Sequence, residues 1–167
     1  MVIFKGNAMG YILIGADGHK RSFPNHIFFS ILRLAANHGW TPQGDIDEET
    51  IAFAREEGLG VSWAPLYLCE DGKCIDSAEA AEMATALESI LDDIPTHDAR
   101  EDKLESTPIP GLKALKSGQK VGPIEELSGP RKAHVRSYIA MCRAGGFQIA
   151  HLSGDQGIVR FSPESGD

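Results

Sequence analysis

The sequence has no apolar run near the ~18 residues of a membrane-spanning helix, so a membrane partner is not expected. Its first residues, MVIFKGNAMGYILIGADG, contain a lysine but no apolar run leading to a small-residue cleavage site, which excludes the usual secretory signal pattern. Cysteine is scarce and odd in number: Cys69, Cys74 and Cys142 cannot make the paired framework of a small secreted domain. These absences together predict a soluble cytoplasmic protein. Basic residues are also in deficit, with 16 Lys and Arg against 24 Asp and Glu and a formal net charge of −8. Nucleic acid is therefore not the expected partner, because neutralising phosphates takes clustered Lys and Arg.

Catalytic signatures are missing too. None of the six histidines forms a His-x3-His pair on a predicted helix, and none lies beside a Cys-x2-Cys. No Gly-x-Ser-x-Gly elbow and no Ser-x-x-Lys at a helix start occur. The letters His151-Leu-Ser153-Gly-Asp155 are neighbours in sequence, whereas a triad draws its members from separate elements. Gly58-x-Gly60 and Gly6-x3-Gly10 lack the strand–loop–helix setting of a phosphate loop and its lysine. The expectation is no cofactor and no metal.

What is present is a chain of 167 residues, 42% hydrophobic and 24% charged, the profile of one globular domain. A chain this long buries roughly 70% of its unfolded surface without staples. The predicted organisation is a single domain over residues 1–167 with a mobile tail at about 162–167. The predicted fold class is α+β, a small, largely antiparallel sheet with about four helices packed on it.

The elements follow from pattern and caps. The apolar stretch Met9–Gly15 precedes Asp17-Gly18, a turn dipeptide, so a hairpin is expected there. Ile27, Phe28, Ile31, Leu32, Leu34 and Ala35 lie on one face of a helix. The stretch NHGWTPQG (37–44) then reads as its stop: Gly39 takes the cap position closed to residues with a Cβ, Trp40 folds back, and Pro42 blocks continuation. A second helix is expected over 48–57, with Asp47 as N-cap, Ile46 and Ile51 as a hydrophobic staple, and Gly58 closing it. In YLCEDGKCID, Asp71-Gly72 predicts a two-residue hairpin turn that sets Cys69 opposite Cys74. Asp76 should cap a third helix, with Glu79 completing a capping box and Ala80, Met83, Leu87, Ile90, Leu91 and Ile94 buried. Residues 96–107 read as an exposed connection, and 108–127 as an irregular segment with at most a turn of helix. A fourth helix is expected from Ser128 or Gly129, with Pro130 in its first turn and Val135, Tyr138, Ile139 and Cys142 buried. Gly145-Gly146 end it, and FQIAHL and GIVRF follow as strands.

The order of LRLAANHGWTPQG, YLCEDGKCIDSAEAAEMATALESILDDIP and MCRAGGFQI resembles a pattern in short uncharacterised bacterial proteins. There a helix ends in Gly-Trp-x-Pro-x-Gly, an Asp-Gly hairpin leads into an Asp-started Ala/Leu helix, and a late helix ends in Gly-Gly-aromatic. The chain departs from that pattern at Asp45, where Thr follows the glycine, and at Glu70, where Asn precedes Asp-Gly. The resemblance spans roughly residues 30–150. It implies a single bacterial domain and carries no activity.

Four groups of residues are candidates for function. Ser128, Gly129, Arg131 and Lys132 (SGPRK) could hold an anion, since a helix start attracts negative charge and the two basic side chains oppose the dipole's own preference; the protein's own acidic middle is the plainer counter-charge. Trp40, Trp63 and Tyr67 could line a ligand groove, or pack in the core. Cys69 and Cys74 could supply half a zinc site or a reversible bridge, or serve as small apolar residues. Finally, 18 of the 24 acidic residues fall between residues 41 and 107, against 4 of the 16 basic ones. Glu48, Glu49, Glu56 and Glu57 head the surface that would attract a basic protein partner; a solvated face is the alternative. The leading functional expectation is a non-enzymatic protein-binding module, accessory or immunity-type. The other is a small-ligand or anion-binding protein, or an enzyme whose site is assembled from scattered residues. Convergent titratable groups in a deep pocket would favour the latter, and an acidic surface or exposed apolar patch the former.

Overall fold

The computed structural model describes residues 8–43, 48–56, 63–68 and 72–153. Strands β1 (Ala8–Gly15) and β2 (Lys20–Phe23) form the hairpin expected around Asp17-Gly18. Asp17 Oδ1 accepts the His19 N–H at 3.0 Å, which tightens the turn. Helix α1 (Asn25–Asn37) follows at once. It stops as its sequence demands: the Trp40 N–H reaches back to the Ala35 carbonyl at 3.0 Å, Gly39 has φ +123°, and Trp40 is buried. Residues 37–43 are thus a helix stop whose tryptophan joins the core.

Next come α2 (Glu48–Glu56), α3 (Ala64–Leu68), β3 (Cys74–Ile75) and α4 (Ser77–Ile90), the last running into a 3-10 turn over Leu91–Asp93. Short strands β4 (Leu104–Ser106) and β5 (Lys113–Leu115) pair with each other, and α5 (Pro123–Glu126) precedes a 3-10 turn at Gly129–Arg131, α6 (Lys132–Ala144) and β6 (Phe147–Ser153). The main sheet has the order β2-β1-β6-β3, with every pair antiparallel. Helices α1 and α6 lie on β1, and α4 packs against both of them. The α+β reading therefore stands, with a small antiparallel sheet. Among the described residues no helix is long and apolar enough to cross a membrane.

The core is aromatic at its centre. Tyr11 meets Phe28 at 4.9 Å between ring centroids, and Tyr138 stacks edge-on against Phe147 at 5.6 Å and Phe23 at 5.9 Å. Leu13, Ile31, Leu32, Met83, Leu87, Val135 and Ile149 fill in around them, all fully buried. Each large apolar side chain so buried contributes about 1.5–3 kcal/mol. Gly146 admits the sheet to this core, since a Cβ there would collide with the Ile75 carbonyl and the Asp76 backbone.

Three expectations need correction. Tyr67 and Leu68 are helical, in α3, and do not form a strand running into the Asp71-Gly72 turn; β3 pairs with β6. The segment 104–115 is a hairpin of its own, where the sequence reading gave exposed connection and irregular chain. Third, Glu79 does not close a capping box. Asp76 caps α4 by accepting the Glu79 N–H at 2.8 Å, but the Glu79 carboxylate turns inward. The Asp47 cap, Ile46, Gly58, the Cys69–Cys74 register, Asp71, the GIVRF strand and the tail at 162–167 lie outside the described residues.

Candidate functional site

Trp40, Trp63 and Tyr67 do come together. Trp40 and Tyr67 are 5.1 Å apart, Trp40 and Trp63 5.5 Å, and Trp63 and Tyr67 6.0 Å, all edge-on. They do not line an open groove: Trp40 and Tyr67 are buried, and Trp63 is partly buried against them. What the sequence did not reveal is the carboxylate beneath. Glu79 is only 7% exposed, and its Oε2 accepts the Tyr67 O–H at 2.6 Å and the Trp40 Nε1–H at 3.2 Å. The Tyr67 oxygen in turn accepts the Gln43 N–H at 2.8 Å, and the Lys73 ammonium lies 5.0 Å from the Tyr67 ring centre. Burial, and then the bond to Glu79, push the Tyr67 phenol well above its ordinary range, so it stays a donor. This cluster ties three stretches together: the chain leaving α1, helix α3, and the first turn of α4. Tyr11 adds a fourth tie, its O–H donating to the Leu68 carbonyl at 2.6 Å. The chemistry is that of a polar brace inside a core.

The Ser128–Lys132 group is also assembled, around internal partners. Ser128 Oγ accepts the Ala99 N–H at 2.8 Å and donates to the Glu125 carbonyl at 2.6 Å. The Gly129 N–H goes to the Pro95 carbonyl at 3.0 Å. Arg131 donates to Asp98 Oδ1 and to the Glu126 carbonyl, both at 2.6 Å, and the buried Lys132 ammonium donates to the Ile94 carbonyl at 2.8 Å. The counter-charge here is the protein's own acidic middle. The guanidinium of Arg131 holds the Asp98 carboxyl below its usual range, burial opposing it and the Arg100 N–H adding to it.

The acidic middle divides in two. Within it Glu88 pairs with Arg143 of α6 and Asp98 with Arg131; beyond it, Glu126 pairs with Arg100 and Glu125 with Lys103 at 3.0 Å. Glu48, Glu49 and Glu56 are different. All three are exposed on α2, and no ion pair to them is present among the described residues. Arg55 is the basic residue of the same helix. Glu48, Ile51, Ala52 and Arg55 rim a shallow depression of about 430 Å³. Glu57 lies outside the described residues, as do Cys69 and the Asp155 of the triad letters; Cys74 is exposed and Cys142 buried, its thiol pushed up to about 12 by burial. Among the described residues, no three His, Cys, Asp or Glu side chains are grouped to hold a metal ion.

A further surface escaped the sequence reading. Ile109, Leu112 and Leu115 are 61%, 50% and 44% exposed, and all three belong to the β4–β5 hairpin. Only its clustering of Pro, Gly and aliphatic residues within TPIPGL signals it in the sequence. The chain matches no family model, and no curated protein or solved structure is significantly similar to it.

Proposed function

We propose that the protein is a cytoplasmic, non-enzymatic protein-binding module of the accessory or immunity type, presenting the acidic face of α2 to a basic partner. The contrast between the two sets of carboxylates carries this reading. Glu88, Asp98, Glu125 and Glu126 neutralise basic residues of the same chain, whereas Glu48, Glu49 and Glu56 are exposed with no such partner among the described residues. Glu48 and Glu49 sit in the first turn of α2, where the helix dipole favours them, but Glu56 sits in its last turn, where the dipole does not. Helix stability thus explains two of the three, and an external cation explains all of them. Such a surface raises the encounter rate of a basic partner and makes it fall with salt.

The test is the triple variant Glu48→Gln, Glu49→Gln, Glu56→Gln in affinity capture from a lysate of the source cells, read by mass spectrometry. The reading expects a basic protein that is captured by the native chain and eluted by salt, and whose capture drops in the variant while melting moves by only a few degrees. Unchanged capture with a sharp fall in melting temperature would make the acidic face internal scaffolding and sink the proposal.

A further inference from the structure

We propose that the β4–β5 hairpin docks the protein on an anionic lipid surface from one side, its Pro108–Leu112 tip entering the boundary between headgroups and acyl chains. This surface is separate from α2 and stands independently of the reading above.

The first observation is the tip itself. Residues 108–112 are Pro-Ile-Pro-Gly-Leu, with no polar side chain among them. Most of its N–H groups are already paired. The Thr107 N–H donates to the Leu112 carbonyl at 3.1 Å, Leu112 N–H to the Ile109 carbonyl at 3.1 Å, and Ile109 N–H to Thr107 Oγ1 at 3.2 Å. Thr107 Oγ1–H closes the loop onto the Leu112 carbonyl at 2.9 Å. Pro108 and Pro110 have no N–H to satisfy. Taking an unpaired donor out of water is costly, and these bonds remove that cost for every N–H from 107 to 112 except that of Gly111. The tip can therefore enter the headgroup boundary with most of its N–H groups paired internally, its outward carbonyls meeting water and headgroups there.

The second observation is charge. From Ser106 to Ile124 there is no acidic residue, while Lys113, Lys116 and Lys120 are present, in a chain of net charge −8. Lys113 stands next to the tip. Its pairing with Glu101 at 2.9 Å is between two half-exposed side chains, an interaction weak enough to be exchanged for a lipid phosphate. Glu105 is exposed on β4, opposite Ala114. Apolar insertion plus neighbouring lysines is the combination that holds a protein reversibly to an anionic bilayer. A second copy meeting tip to tip would set these lysines against their equals, which disfavours self-association through the hairpin. The lack of a membrane-crossing helix among the described residues is silent about docking of this kind.

The experiment is co-sedimentation of the full chain with phosphatidylcholine vesicles and with mixed phosphatidylcholine–phosphatidylserine vesicles. The expected result is weak binding to the mixed vesicles, reversed by salt, with less on phosphatidylcholine alone. The double variant Ile109→Asp, Leu112→Asp should keep the native circular dichroism spectrum and melting temperature, both positions being exposed, and bind about tenfold less or weaker still. The milder Ile109→Ser, Leu112→Ser should fall between. Lys113→Gln with Lys116→Gln should reduce binding to mixed vesicles several-fold and leave binding to phosphatidylcholine unchanged. Absence of vesicle binding by the native chain, or equal binding by the Asp variant, would overturn the proposal. So would a dimer, seen by light scattering and lost in the Asp variant, or an acidic protein that holds the tip while vesicles do not.

Discussion

Tyr67→Phe removes one oxygen atom and nothing else, and the structure gives that atom two partners that matter. It donates to the buried Glu79 carboxylate at 2.6 Å and accepts from the Gln43 N–H at 2.8 Å. A hydrogen bond to a charged group is worth about 1.5–3 kcal/mol, and a buried polar group left unsatisfied costs about 1–3 kcal/mol. Glu79 keeps the Trp40 N–H at 3.2 Å, so its loss is partial, and Gln43 is exposed enough for water to replace the phenol. The expected destabilisation is therefore about 2–4 kcal/mol. For a domain of this size that lowers the melting temperature by roughly 4–15 °C.

Urea unfolding followed by tryptophan fluorescence reads it directly, because Trp40 is itself a member of the brace. The partner variant Glu79→Gln should also destabilise, and the double variant should cost less than the two singles combined by at least about 1 kcal/mol, the mark of residues acting as one unit. If Tyr67→Phe changes stability by under about 0.5 kcal/mol, or if the cycle is additive, the carboxylate is not held as described and the brace is a misreading.

Three further outcomes follow from the same structure. His134 sits against Phe23, and burial, helped by the nearby His26, depresses its pKa. The unfolded chain then takes up the proton first, so stability should decline as pH falls below about 6.5, and His134→Gln should flatten that part of a melting-temperature profile measured across pH. The depressed carboxyls of Asp98 and Glu125 add an acid limb of the same sign below about pH 4. Gly146→Ala should cost roughly 2 kcal/mol or more in chemical denaturation, since its Cβ meets backbone at Ile75 and Asp76 with no flexible side chain to give way. Lys132→Met keeps the buried stem but orphans the Ile94 carbonyl, and equilibrium unfolding should show a loss of about 1–3 kcal/mol.

How far the sequence foretold this depends on where each element's signal resides. Helix α1 carries its apolar face and its stop within adjacent residues, so Ile27 through Trp40 were legible. The same is true of Asp76 as a cap and of Val135, Tyr138, Ile139 and Cys142 as a buried stripe. Tyr67 and Leu68 misled because their β preference is local, whereas the bonds that anchor α3 come from Tyr11, Gln43 and Glu79, all distant in sequence. Glu79 misled for a related reason. Three residues after an aspartate cap, a glutamate reads as half of a capping box, and nothing nearby announces two aromatic donors waiting across the core. The β4–β5 hairpin hid behind prolines, glycines and three-residue strands too short to show alternation. Charge counts overstated the candidate surface, since Glu79 is buried and Glu88 and Asp98 face arginines of their own chain. Among the described residues, α2 keeps three exposed carboxylates from that reading, and Asp92 and Asp93 add two more.

The sheet order has a consequence in time as well as in space. β6 lies between β1 and β3, and Ala8 pairs with Ser153. Until residues 147–153 have been made, β1 carries Tyr11 and Leu13 beside a bare edge, and β3 has no strand to pair with. A growing chain therefore holds the β1–β2 hairpin and the helices without the strand that joins β1 to β3, and the sheet closes only when β6 is made. Contacts spanning such sequence distances make folding slow for a domain of this size, and the interval before closure is when its unpaired edge is open to the wrong strand.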